Sequence, residues 1–429
     1  MIAIKRETLF IKVTQFLLFW NTFVVETTLR TREFSNKSID WQVMVKMGTW
    51  GLTFLLCLFF YKLWLRKMLR LDKFVEILLL TVIVISCFHA PNIAYSLASA
   101  FSLIAIFCML FLASFTLTNK QILWPIILGC TAVTFISLIT YFAMPDFARM
   151  KEWIGGVHVP GKRLSGIAGS ANTVGYISAF CLLALYYYRG YFVGKIPLWF
   201  WGFVAVNGAA LLMSNSRTSL AALILSIMIA SLMRFNPTVL AAFCVAVCIG
   251  ILLVFSIDLE ALFALISRSG DAAEITTGTG RTAIWKTVIQ LIGEKPLMGW
   301  GYASSVYILP QQSILIGYTV PHAHNAFLQI AFSTGMIGLS LFLLVFAIKI
   351  YFSFKMKDPM NMAFISFLLI DGMAEPIAFY GPATTTTLAL AIVLSLRYRT
   401  GHEADYSPHQ QRLSGLPESA QDPRDLKPG

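Results

Sequence analysis

The chain has 429 residues, of which 57% are hydrophobic, 14% aromatic and only 13% charged, against about 25% charged in a soluble domain. With a mean hydropathy of +0.73, these residues cannot surround a soluble core with polar surface, so the chain reads as an integral membrane protein. The net charge of +12 sits largely in short connections between apolar runs, where it sets topology and gives no case for nucleic-acid binding.

Twelve apolar stretches are long enough to cross a hydrocarbon core of about 30 Å. They fall near 9–25, 43–61, 74–90, 93–117, 122–144, 171–188, 197–214, 218–233, 238–257, 325–351, 361–379 and 383–397. The first follows Lys5 and Arg6, but no alanine occurs between Ala3 and Ala90. An A-x-A cleavage site is therefore missing, and an uncleaved first helix is expected. Lys62, Arg66, Lys67, Arg70 and Lys73 crowd one connection, and Lys349, Lys355 and Lys357 another. The positive-inside rule makes that side cytoplasmic, with both termini inside. The long loops at about 145–170 and 258–324 then face outward. The loop at 26–42, with Arg30, Arg32 and Lys37, is an exception to the charge bias. The expected architecture is all-α, with one polytopic membrane domain over 1–399 and a disordered cytoplasmic tail over 400–429.

The seven cysteines lie mostly inside apolar runs and form no C-x-x-C, so they read as small buried residues. No P-loop, Rossmann fingerprint, DxD, HExxH or GxSxG is present, and no cofactor is expected.

The informative residues collect on the outward side. Arg163 lies in GKRLSGIAGSANTVG, with Asn172 in the same stretch as a supporting group. Arg217 follows Ser214, Asn215 and Ser216 at the edge of an apolar run, on the side where topology disfavours arginine. A planar guanidinium suits phosphate or carboxylate. Arg281 follows Gly278-Thr279-Gly280 at the head of TAIWKTVIQLIG, whose apolar stripe predicts a short helix on the membrane surface. Thr279 or Thr282 is placed to cap it, and its N-terminus beside Arg281 favours an anion.

His322 and His324 in PHAHN precede the tenth run. No cysteine or Glu-x-x-His accompanies them, so no metal is expected. One histidine acting as a base fits better, and otherwise Asn325 and the histidines cap the following helix. Asp371 and Glu375 in DGMAEPIAF stand four apart, the spacing that lets both face one cavity. Ionisable residues at membrane depth default to a functional reading. Together these groups suit a lipid-linked phosphate met on the outer face.

The stretches RLSGIAGSANTVGY, SNSRTSLAAL, GTGRTAIWKTVIQLIGEKPLMGWGYASS and PHAHNAFLQIAFSTGMIGL resemble the O-antigen ligase and polymerase superfamily of bacterial envelope glycosyltransferases. The resemblance covers about 163–343; the first 150 residues match only in hydropathy. It implies a GT-C-like fold in the bacterial inner membrane, with an active site facing the periplasm. It also implies an undecaprenyl-diphosphate-linked glycan donor and an inverting, metal-free transfer. The acceptor would be lipid A–core for a ligase, or a lipid-linked repeat unit for a polymerase, with a chain-length regulator as a further partner. Arg217 and Arg281 match the family's diphosphate-binding arginines, with Arg163 beside them. His324 matches the histidine that serves acceptor activation or leaving-group contact, while His322 and Glu375 leave the identity of the base open. A reading from another class is a twelve-helix transporter or flippase, which would place its polar residues at mid-membrane.

Overall fold

The computed structural model describes residues 2–29, 40–60, 71–154, 157–233, 281–376 and 379–396. The expected span at 238–257, the first part of the second long loop and the tail at 400–429 lie outside them. The helices are α1 (Ile2–Glu26), α2 (Trp41–Phe59), α3 (Leu71–Ser86), α4 (Ile93–Thr116), α5 (Asn119–Ala143), α6 (Ala171–Tyr188), α7 (Leu198–Ser214), α8 (Arg217–Leu232), α9 (Arg281–Glu294), α10 (Ala326–Lys355), α11 (Pro359–Gly372) and α12 (Thr385–Ser395). Each expected span within the described residues overlaps one of these. By length and composition, α1, α2, α4, α5 and α10 are the five able to cross a membrane among the described residues. The protein is thus a mostly helical membrane protein.

Local chemistry sets the helix boundaries. Asp40 caps α2, Asn92 caps α4, and Thr118 and Thr384 open α5 and α12 with capping boxes. Each cap satisfies N–H groups that lipid could not. Outward faces stay apolar: Leu55, Phe142, Leu212 and Ile224 are all more than half exposed, as lipid contact requires. Inside, α8 packs along α11, α6 along α5 and α7, and α10 along α3. Buried polar pairs join some neighbours. Asn207 on α7 donates to Thr131 Oγ1 (3.0 Å) and accepts from Thr134 Oγ1 (3.1 Å) on α5.

The two ends of the bundle differ. At the end where α3 begins and α12 finishes, the Glu76 carboxylate meets Lys73 at 3.0 Å and Lys349 at 3.2 Å. Both ammonium groups also donate to the Leu394 carbonyl at 2.6 Å. This buried cluster ties α3, α10 and α12 together at that end.

The opposite end holds the residues singled out in the sequence. Here the expectation of an all-α chain needs a correction. The loop after α5 contains an antiparallel hairpin of β1 (Arg149–Ile154) and β2 (Val157–Leu164), with a register shift between Arg149 and Lys151. Gly155-Gly156 between the strands is a sequence signature of a two-residue hairpin connection.

A second correction concerns α10, expected as one uninterrupted span. The chain breaks at Gly335 (φ 69°, ψ −170°). A straight helix would separate Phe327 from Phe342 by about 22 Å, yet their rings pack at 6.3 Å. The 326–334 arm therefore folds back beside the 336–355 arm. The connection after α9 secures the reversal: Trp300 and Gly301 N–H donate to the Phe332 and Ser333 carbonyls (2.8 and 2.9 Å), and Met336 N–H donates to the Pro296 carbonyl (2.8 Å). The 336–355 arm alone retains the length of about 20 residues needed to cross. By contrast, α8 and α11, with 16 and 14 residues, rise only about 24 and 21 Å. The chain after α11 leaves the helix at the end where α8 begins, and Glu375 lies in this non-helical stretch.

Gly335 is irreplaceable on two counts, a left-handed φ and a backbone in the way: an added Cβ would lie 2.0 Å from the Leu297 carbonyl oxygen. Gly335→Ala should destabilise the fold by about 3 kcal/mol or more. Gly293→Ala, which meets nothing within 4 Å, should be neutral or slightly stabilising. Thermal unfolding of the two variants in detergent checks the contrast.

Candidate active site

Glu375 lies three residues beyond α11, with its side chain 14% exposed. Its Oε1 accepts from Arg281 Nη2 at 2.8 Å and from Asn172 Nδ2 at 2.7 Å. Oε2 lies 3.3 Å from His324 Nδ1. Burial alone would raise this carboxyl's pKa. The hydrogen bond and charge of His324, with the charge of Arg281, outweigh burial and hold it down at about 2. It is therefore ionised under all ordinary conditions.

Each partner arrives from a different element. Arg281 is the first residue of α9, whose Ile284, Val288 and Leu291 bury their side chains against Ile308, Ile316 and Phe332. The expected amphipathic helix is thus present, anchored on the folded-back arm of α10. Thr282 falls inside its first turn, and Thr279 lies outside the described residues. Asn172 stands in the first turn of α6. His324 adopts φ 49°, left-handed backbone that costs about 1–2 kcal/mol in a non-glycine residue and turns the chain into α10. Asn325 follows as the N-cap, accepting from Leu328 N–H at 3.0 Å, and its Nδ2 donates to the Met373 carbonyl at 3.1 Å. Cap and cross-link together hold His324 beside Glu375.

His322 packs edge-on against His324, ring centroids 4.1 Å apart, and against Tyr380 at 5.0 Å. Its Nδ1 is buried without a partner. Burial, then the neighbouring His324, lowers its pKa to about 3, so the ring is neutral. His322, His324 and Glu375 bring ligand atoms within 4.8 Å of one another, close enough to share a cation. The Arg281 guanidinium on the same carboxylate would oppose one.

The other expected residues lie around this centre. Arg163, at the end of β2, donates through Nη2 to Asn172 Oδ1 (2.7 Å) and through Nε to the Ser214 carbonyl (3.0 Å). Arg217 opens α8 one turn further on; among the described residues nothing pairs with its half-buried guanidinium. Asp371, 1% exposed, accepts from Ser219 Oγ at 2.9 Å, and Ser219 in turn accepts from Ser216 Oγ at 3.1 Å. It braces α8 against α11, whereas Glu375 meets Arg281 and His324. Close approach of α6 to the Arg217 turn depends on Gly175, where a Cβ would lie 2.3 Å from that of Ser216. Ser219 and Tyr380 escaped sequence reasoning. Ser219 repeats the hydroxyls around Arg217, a usable signal; nothing in the sequence places Tyr380 against His322.

The fold and this site define a polytopic membrane protein with a buried carboxylate held between an arginine and a histidine at one end. Residues 202–343 match the O-antigen ligase family model. A "Putative polysaccharide ligase" of Rickettsia felis is 44% identical over 70 residues, and similarly named proteins of Rickettsia conorii and Rickettsia typhi are 46% and 41% identical over the same length. Each alignment covers 15% of this chain and 17% of the relative. These matches support placing the chain in the O-antigen ligase superfamily through its central segment.

Removing the carboxylate leaves Arg281 buried without a counter-charge. Glu375→Ala should therefore cost about 2–4 kcal/mol, while Glu375→Gln, which keeps a hydrogen-bond acceptor, should cost less. Unfolding midpoints of the two variants at neutral pH check this order.

Proposed function

We propose that the protein is an inverting glycosyltransferase of the bacterial inner membrane. In this reading it moves a glycan from undecaprenyl diphosphate to a hydroxyl of lipid A–core on the periplasmic face. The observation that carries the reading is the placement of one carboxylate between a guanidinium and an imidazole, Arg281 and His324. A lipid-linked diphosphate would keep its chain in the bilayer and present its head to these groups.

Arg281 gives one nitrogen to Glu375 and retains further N–H donors for the diphosphate, and Arg217 supplies a second fork. Glu375 accepts the proton on His324 Nδ1, which leaves the Nε2 lone pair for the acceptor. A carboxylate held as low as Glu375 is a weak base, so its part is to orient His324. In the transfer, His324 Nε2 takes the proton of the acceptor hydroxyl as that oxygen bonds to the anomeric carbon. The bond from that carbon to the diphosphate oxygen breaks, and its electron pair leaves with the lipid diphosphate. Arg217 and Arg281 stabilise the charge that grows there.

Transport is the competing reading, and the break in α10 resembles the interrupted helices of transporters. Against transport stands the gathering of the singled-out polar residues at one end, with the Lys73–Glu76–Lys349 cluster tying helices together at the other. A deletion strain separates ligase from polymerase: long unlinked polymer indicates a ligase, and single repeats on the core indicate a polymerase.

Arg217→Ala and Arg281→Ala should each reduce transfer by about 10²–10³-fold at matched protein abundance; normal product levels in either would sink the reading. The pH profile separates the two histidines. Glu375 at about 2 and His322 at about 3 do not titrate above about pH 5. His322→Gln should therefore leave the acid limb of the pH–activity profile in place, and a displaced limb would assign the base to His322.

A further inference from the structure

Arg163 differs from the other two arginines of the site in what its nitrogens already hold. Nη2 is bonded to the Asn172 amide oxygen and Nε to the Ser214 carbonyl. We infer that Arg163 and Asn172 are positioning residues: a relay that fixes which oxygen of Glu375 meets Arg281 and which meets His324. The inference rests on the glycosyl-transfer reading above and replaces the assignment of Arg163 to the diphosphate.

The physical case starts from the carboxylate. A guanidinium and a carboxylate left to themselves pair side by side, two N–H groups on two oxygens. That geometry would engage Oε2 and take it from His324. Here Asn172 Nδ2 shares Oε1 with Arg281 Nη2, at 2.7 and 2.8 Å. The carboxylate is held with Oε2 turned toward His324 Nδ1.

Asn172 can do this only if its NH2 faces Glu375. The two ends of an amide are nearly the same shape, so a donor on the far side must choose between them. Arg163 makes that choice, because a guanidinium has donors and no acceptor and therefore demands the amide oxygen. Arg163 is itself fixed from two directions. It sits in β2, whose partner strand β1 pairs Arg149 with Leu164. Its second bond reaches Ser214, the last residue of α7, where Asn215 turns the chain at φ 49° toward Arg217. One run of hydrogen bonds thus connects the Arg217 turn, the hairpin, the head of α6, Glu375 and His324.

The test uses the full-length protein in lipid nanodiscs, with an undecaprenyl-diphosphate-linked sugar as donor. Asn172→Ala and Arg163→Gln should each lower kcat by about 10–100-fold, the usual effect of losing a group that orients a reacting one. KM for the donor should not change. The double variant should be no slower than the slower single variant, because both break the same relay. Asn172→Asp keeps the side chain's shape but cannot donate to Glu375, so it should be at least as slow as Asn172→Ala. Undecaprenyl diphosphate alone should raise the melting temperature of Arg163→Gln as much as that of the wild type, and that of Arg217→Ala less.

A raised donor KM, or lost stabilisation by undecaprenyl diphosphate, in Arg163→Gln would return Arg163 to the diphosphate and overturn the relay. Additive losses in the double variant, or a near-normal Asn172→Asp, would overturn it too. A wild-type protein that transfers no sugar removes the glycosyl-transfer reading itself. An active wild type with any of the other results removes the relay alone.

Discussion

The carboxylate of Glu375 is bound by groups from three separate stretches of chain: the head of α6, the head of α9 and the turn into α10. A charge in such a place is tolerated only when it is paired and hydrogen-bonded. Glu375 satisfies that condition through Asn172, Arg281 and His324, each of which needs it in return. Without it Asn172 would lose an acceptor for its amide, Arg281 its counter-ion, and His324 the carboxylate beside Nδ1. This end of the bundle is organised around that mutual requirement.

Geometry upstream of the carboxylate makes the meeting happen. Had α10 continued straight, His324 would sit about 15 Å beyond Gly335 along the axis, well clear of Glu375. Reversal at Gly335 folds the first arm down beside the second, and the backbone of 296–301 stitches the turn with bonds that lipid could not supply. Glu375, Arg281 and His324 are there largely shielded by protein, with side chains 14, 16 and 23% exposed, the condition under which irregular backbone survives at membrane depth. The far end is built differently: Lys73, Lys349 and Glu76 tie the helices there together.

Much of this was legible in the residues. Arg163, Arg217, Arg281, His324, Asp371 and Glu375 were singled out because they stand at the edges of apolar runs, where charge is scarce and expensive. Helix positions followed from hydropathy, and the amphipathic α9 from its periodicity. The misreadings share one cause. Hydropathy averaged over 325–351 passes over a single glycine, and the break there depends on a loop some thirty-five residues earlier. The hairpin was passed over as a loop because neither strand is apolar enough to register beside transmembrane runs. Asp371 and Glu375 were expected to share a cavity from their spacing, but one is consumed by Ser219 and the other meets Asn172, Arg281 and His324.

By itself, then, the sequence determined that the chain enters a membrane, where most of its helices run and which side chains are too expensive to lie there without purpose. Those conclusions depend on the solvation of individual residues, which composition and local order contain. Only the tertiary structure decided what each of those side chains does. Arg163, Arg217 and Arg281 carry the same charge and the same donors. One is spent on an amide and a carbonyl, one on a carboxylate, and one stands without a partner among the described residues. That division is set by neighbours from elsewhere in the chain, and it exists only once the helices have packed.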